Sequence, residues 1–151
     1  MKSLRFLLGL VVAVELVFGA AAVILLADNA GSTDIGSPVY HRQIQIGEVL
    51  DKQLSSDASE VEITLNIYPQ YAHLVRVNSI FWPASGFNLD IGITGAALKA
   101  TSLTSLVKGG ISMSTTDKEA LQPASKAYQR FTLQKEMQEN WLEWKLAIPK
   151  A

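Results

Sequence analysis

Side chains suited to acid–base or metal chemistry are few and widely separated in this sequence. His41 and His73 are the only histidines, and the chain has no cysteine. No motif places either histidine beside a nucleophile or within a cluster of metal ligands. The glycine-rich stretch from Gly86 to Gly95 lacks the lysine of a phosphate-binding loop. We therefore expect no catalytic residue, no metal, no cofactor and no enzymatic activity.

The clearest pattern is an alternation of apolar and polar residues after Gly86. If this segment is extended, its apolar side chains share one face, and they are Phe87, Leu89, Ile91 and Ile93. A further strand is predicted over 98–102, beginning at Leu98, and a short helix over 102–110. The apolar stripe fits ordinary core packing or a surface for apolar ligands, and the pattern alone leaves both open.

A second apolar pattern lies at the C-terminus. Its members are Leu133, Met137, Trp141, Trp144 and Ile148, at spacings of 4, 4, 3 and 4 residues. This spacing predicts an amphipathic helix within residues 131–151 that needs a partner for its apolar face. Two partners are open: the helix packs on its own domain, or it assembles with helices of other copies through Met137, Trp141, Trp144 and Ile148.

Composition limits the chain to one small domain. With 151 residues, 48% hydrophobic and 18% charged, it is too apolar for a disordered protein. The formal net charge is −1 and no basic stripe is present, which excludes nucleic acid as an expected partner.

The N-terminal excess of apolar residues predicts a membrane span. Residues 6–27 contain one charged residue, Glu15, and are long enough to cross a hydrocarbon core as a helix. Lys2 and Arg5 precede the span, so the positive-inside rule keeps residue 1 cytoplasmic and exports residues 28–151. In a bacterium this is single-pass inner-membrane topology with a periplasmic domain. The alternative is a cleaved signal peptide, because residues 19–22 are small.

The exported part is predicted to be all-β. Alternation predicts strands over 39–50 and 60–67, with Ser55, Ser56 and Asp57 forming the turn between them. Pro69 begins a helical turn or two, and short strands follow over 79–82 and 111–115. Residues 28–116 thus form a small barrel or sandwich, and residues 117–130 are predicted to be a linker.

Several ordered motifs carry a family resemblance over about residues 23–116. They are Gly-Ser-Pro-Val (36–39), Ile-Gly-Glu-Val (46–49), Tyr-Ala-His-Leu-Val-Arg (71–76), Asn-Ser-Ile-Phe-Trp (78–82), Ala-Ser-Gly (84–86) and Thr-Ser-Leu-Thr-Ser-Leu-Val-Lys-Gly-Gly-Ile (101–111). The chain resembles the mammalian cell entry (MCE) domain family, in its paraquat-inducible protein B branch. The resemblance makes residues 23–26 the first barrel strand, whereas hydropathy makes them the end of the membrane span.

The resemblance implies a small β-barrel, homohexameric rings with a central pore, and lipid movement between the inner and outer membranes of Gram-negative bacteria. It places the pore-lining loop between the strands at 79–82 and 98–102, which makes the lining residues Phe87, Leu89, Ile91, Ile93 and Leu98. The partners implied are phospholipid, further copies of the chain and an integral inner-membrane protein. The alternative functions are a non-transporting envelope scaffold and a truncated piece of a multidomain chain.

Overall fold

The fold is a single, nearly closed β-sheet. A computed structural model describes residues 22–84 and 109–150. Within these residues one sheet runs in the order β5-β6-β2-β3-β4-β1-β7. The strands are Ala22–Ala27 (β1), Pro38–His41 (β2), Ile44–Leu54 (β3), Val61–Ile67 (β4), Ser79–Pro83 (β5), Ile111–Thr115 (β6) and Gln129–Thr132 (β7). Two 3₁₀ helices accompany them, Pro69–Leu74 and Glu139–Glu143. The all-β barrel prediction is confirmed.

The two ends of the sheet meet just after β7. Leu133 forms a parallel bridge with Phe81 of β5, and the Gln134 amide donates to the Phe81 carbonyl at 2.9 Å. The rings of Phe81 and Phe131 lie 5.0 Å apart beneath this junction. The chain therefore closes the barrel with residues that follow β7.

Alternation along the strands fills the barrel with apolar side chains. In β4, Ile63, Leu65 and Ile67 are completely buried, as the alternation over 60–67 predicts. The turn at 55–58, the 3₁₀ helix Pro69–Leu74 and strands β5 and β6 are also confirmed. The predicted strands over 87–94 and 98–102 lie outside the described residues, as does most of the predicted helix over 102–110.

The conflict over residues 23–26 is decided in favour of a strand. Ala22–Ala27 pairs with β4 on one side and β7 on the other, and Val23 and Leu25 are fully buried. A continuous apolar run cannot distinguish a buried central strand from a helix, so hydropathy alone was misleading here. The described residues include no helix of the length and apolarity needed to cross a membrane. The predicted span over residues 6–27 therefore does not include Ala22–Ala27, and the rest of it lies outside the described residues.

The prediction of one strand over 39–50 is wrong. This segment forms a hairpin of β2 and β3 that turns at Arg42 and Gln43, whose φ angles are 51° and 65°. Such turns usually contain Gly, Asn or Asp because those residues tolerate positive φ. The sequence carries none of these at the turn, so the usual signal for a hairpin is missing.

The amphipathic helix predicted over 131–151 is also wrong. Only Glu139–Glu143 is helical, as one 3₁₀ turn, and the residues after it are extended or irregular. Phe131 belongs to β7 and packs into the core, which fixes the start of this segment in a strand. The predicted linker over 117–130 is partly structured, because Ala124 bridges Arg76 and β7 begins at Gln129.

Candidate functional site

The two chain ends that flank residues 85–108 lie side by side at one end of the barrel. Pro83 of β5 pairs with Ile111 of β6, and the Ala84 amide donates to the Gly110 carbonyl at 2.9 Å. Gly109 has a φ of +72°, and a Cβ there would lie 2.4 Å from the Ser32 carbonyl oxygen. Only glycine fits this close approach at positive φ. The residues that flank 85–108 therefore meet at one point of the barrel, and the close approach of Gly109 to Ser32 helps to fix this point.

The predicted pore-lining residues begin three positions after Ala84 in the sequence. Phe87, Leu89, Ile91, Ile93 and Leu98 lie outside the described residues. Their assignment stays a prediction.

Beside this point, the outer face of the barrel carries a row of side chains across three strands. The sheet register aligns Tyr40 of β2 with Ser112 of β6 and Ser112 with Trp82 of β5. Their neighbours Val39, Phe81 and Ile111 point into the core, so alternation directs this row outward. Trp82 is nevertheless only 3% exposed. Something outside the barrel must cover it.

The cover is the segment after β7. From Gln134 it crosses the outer face of the sheet, where the Trp141 ring packs 5.2 Å from the Trp82 ring. Trp144 follows at 6.4 Å from Trp141, which continues the row of aromatic rings. Trp141 is 6% exposed and thus anchors the segment on its own barrel.

A groove of about 620 Å³ lies between this segment and the outer face of the strands. Its volume falls in the range of small-molecule sites. The barrel and the C-terminal segment both contribute to its walls, which consist of Tyr40, His41, Arg42, Gln43, Trp82, Ala84, Ser112, Met113, Ser114, Met137, Trp141, Leu142 and Trp144.

Several polar groups of the groove lie at the tip of the β2–β3 hairpin. The Arg42 guanidinium donates to the Trp144 carbonyl at 3.5 Å, and His41 Nδ1 lies 3.1 Å from the Met113 carbonyl oxygen. The buried Trp144 Nε1 makes no hydrogen bond to any residue that the structure describes. Among the described residues of the lining, Arg42 is the single Lys, Arg, Asp or Glu side chain. One end of the groove therefore carries a positive charge.

The two histidines occupy different places. His41 lines the groove, whereas His73 lies in the 3₁₀ helix Pro69–Leu74. Burial lowers the pKa of His73, and the positive charges of Lys150 and Arg76 lower it further. Among the described residues, no group of three or more His, Asp or Glu side chains is arranged to hold a metal ion.

The residues predicted as an assembly helix have different environments. Met137, Trp141 and Trp144 line the groove, while Ile148 is half-buried and is not part of its lining. Trp141 contacts its own barrel, in line with the first of the two partners that the sequence left open. A function of these four residues in assembly stays a prediction.

Sequence reasoning missed the barrel side of the groove. Tyr40, Trp82 and Ser112 come from three strands that are distant in sequence, and only their register brings them together. One signal was present in the strand at 79–82. Phe81 and Trp82 are adjacent, so an extended strand buries one in the barrel and directs the other outward.

The motifs that flank the β2–β3 hairpin are bonded to each other. The Gly36 amide donates to the Val49 carbonyl, and the Val49 amide donates to the Ser37 carbonyl, both at 2.9 Å. Gly-Ser-Pro-Val and Ile-Gly-Glu-Val are therefore the two sides of one structural unit. They fix the entry into β2 and so the position of Tyr40 in the groove.

Two known proteins are similar to this chain over most of its length. The chain is 38% identical over 129 residues, 85% of its length, to "Lipophilic envelope-spanning tunnel protein B" of Escherichia coli K12. It is 37% identical over 121 residues, 80% of its length, to a "Probable intermembrane transport protein" of Haemophilus influenzae. These matches cover only 15% and 14% of the two relatives.

The family match covers most of the barrel. Residues 20–111 match the family described as MlaD protein, which includes the first strand, the hairpin motifs and the segment between β5 and β6. The resemblance to MCE domains is thus confirmed: this chain belongs to the MlaD protein family.

Proposed function

We propose that this chain is a periplasmic lipid-transport protein of the bacterial envelope, anchored in the inner membrane by its apolar N-terminal segment. The names of its two relatives, an envelope-spanning tunnel protein and an intermembrane transport protein, support transport between membranes. Its partners in this proposal are phospholipid, further copies of itself in a hexameric ring, and an integral inner-membrane protein of the same system.

The observation that carries the proposal is the junction of Ala84 with Gly110. Because the two strands that flank residues 85–108 are paired up to this junction, every copy in a ring presents this segment from the same point. The segment contains the apolar stripe Phe87, Leu89, Ile91 and Ile93. Six stripes around an axis form an apolar channel.

Such a channel acts by burial rather than by chemistry. Each methylene of an acyl chain that leaves water for the apolar rings is stabilised by about 0.8 kcal/mol. No bond in the lipid breaks, and the protein is a passive conduit whose energy comes from the membrane partner. This proposal requires no catalytic residue.

The test is lipid crosslinking from the stripe. A photoreactive amino acid at Leu89 is expected to crosslink phospholipid in cells, and the double variant Phe87→Asp with Ile91→Asp is expected to abolish the crosslink. The matched control, Asn88→Asp with Thr94→Asp, adds two charges to the alternate positions of the same segment. It is expected to retain the crosslink because the apolar face stays intact.

The proposal is wrong if the first double variant still assembles and crosslinks lipid as the wild type does. The alternatives, a non-transporting scaffold or a fragment of a multidomain chain, predict no lipid crosslink from residue 89 in the wild type. Native mass spectrometry from detergent completes the test, because the proposal requires hexamers that carry phospholipid mass.

A further inference from the structure

We propose that the groove between the C-terminal segment and the outer face of the barrel binds one anionic phospholipid, outside the central channel. The inference rests on the proposed function for the identity of its ligand. The groove itself is defined by the described residues alone. It lies next to Ala84, where residues 85–108 begin, and so adjoins the proposed channel.

The groove has the polarity of an amphiphile. Leu142, which is 54% exposed, and the half-buried Met137 provide apolar surface on the C-terminal segment, and the exposed Arg42 provides a positive charge at the hairpin tip. The register of β2, β6 and β5 places this tip beyond the row of Tyr40, Ser112 and Trp82 along the strands. An acyl chain would lie on the apolar surface and its headgroup at Arg42.

The charge of the groove selects an anion. None of the described residues that line it is acidic, although the chain has 14 acidic and 13 basic residues. A phosphodiester at this end would pair with the exposed Arg42 guanidinium.

The backbone at the hairpin tip supports a function for Arg42. Positive φ at Arg42 and Gln43 is what a two-residue turn between β2 and β3 requires. The turn places Arg42 in the lining of the groove, where its guanidinium donates to the Trp144 carbonyl at 3.5 Å.

All three tryptophans of the chain line this groove, so intrinsic fluorescence reports on it specifically. The full chain in dodecyl maltoside micelles is titrated with phosphatidylglycerol brominated on its acyl chains, since bromine quenches tryptophan on contact. Saturable quenching is expected. Phosphatidylcholine with the same brominated chains is expected to bind more weakly because it has no net negative charge.

Variants separate the headgroup end from the chain end. Arg42→Glu is expected to weaken phosphatidylglycerol binding by about tenfold and to remove the preference over phosphatidylcholine. Arg42→Lys is expected to keep the preference, and Lys126→Glu is the control with the same charge change at an exposed residue outside the lining. Leu142→Glu, at a lining residue that is 54% exposed, is expected to reduce quenching by both lipids without unfolding the barrel.

Three results would overturn the proposal. Equal quenching of Arg42→Glu and Lys126→Glu would show that Arg42 binds no headgroup. Displacement of the brominated lipid by inorganic phosphate alone would show a free-anion site. A changed subunit number for Leu142→Glu with unchanged quenching would show that a second copy occupies the groove. Crosslinking from Leu89 reads the channel separately, so either proposal can fail while the other stands.

Discussion

Gly47 shows how one residue of a family motif is fixed by packing. It lies in β3 opposite Ile67 of β4, and a Cβ at this position would lie 2.2 Å from the Asn66 carbonyl oxygen. That atom belongs to the backbone of the paired strand and cannot rotate away. Glycine at the second position of Ile-Gly-Glu-Val is thus required for the backbones of β3 and β4 to approach each other. Strand β3 in turn positions the hairpin tip that carries Arg42.

At the same scale, the turn between β3 and β4 predicts a pH dependence of stability. Asp57 Oδ1 accepts from the Ser59 hydroxyl at 2.6 Å, the Ser59 amide at 3.0 Å and the Ser55 hydroxyl at 2.9 Å. These bonds lower the pKa of Asp57 from 3.8 to about 2, with the Ser59 hydroxyl as the largest cause. A carboxyl group whose pKa is lower in the folded chain stabilises the fold at pH values above its unfolded-state pKa of 3.8. This contribution is lost as the pH falls from 3.8 to about 2.

Asp57→Asn is therefore expected to be less stable than the wild type at neutral pH, and the difference is expected to vanish towards pH 2. Urea unfolding at several pH values measures it. Asp51→Asn, at an exposed residue of β3, is the control and is expected to differ little from the wild type at any of these pH values. A difference for Asp57→Asn that persists unchanged at low pH would contradict the assignment.

At the scale of elements, β7 closes the barrel although it lies beyond the residues that match the family. Residues 20–111 match, while β7 occupies Gln129–Thr132 and pairs in parallel with β1. Phe131 adds its ring to the core beside Phe81. Without β7 the long edge of β1 would be unpaired and the core would open to water.

Two truncations test this closure. Ending the chain after Lys126 removes β7 and is expected to abolish cooperative unfolding, whereas ending it after Gln138 keeps β7 and is expected to retain it. Phe131→Ala provides a milder variant with an expected loss of about 3–5 kcal/mol in the free energy of unfolding. Thr132→Ala, at an exposed residue of the same strand, is its control. Cooperative unfolding of the chain that ends after Lys126 would show that β7 is dispensable.

At the scale of the whole molecule, the truncation after Gln138 tests whether the C-terminal segment packs on its own barrel or assembles with other copies. Trp141 is buried against Trp82 of its own barrel, so little of its ring surface is left for contact with another copy. We expect the chain that ends after Gln138 to have the same number of subunits as the full chain, as measured by native mass spectrometry. Dissociation into monomers with an intact barrel would instead assign assembly to the segment that contains Trp141, Trp144 and Ile148.

The sequence by itself determined the alternating strand β4, the turn at Asp57 and the family, because these depend on neighbours that are close along the chain. The tertiary structure decided that Ala22–Ala27 is a strand, since its apolar run fits a helix equally well until β4 and β7 pair with it. It also decided the groove. Trp82 and Trp141 are 59 residues apart, and only closure of the barrel by β7 directs the C-terminal segment across the outer face where they meet.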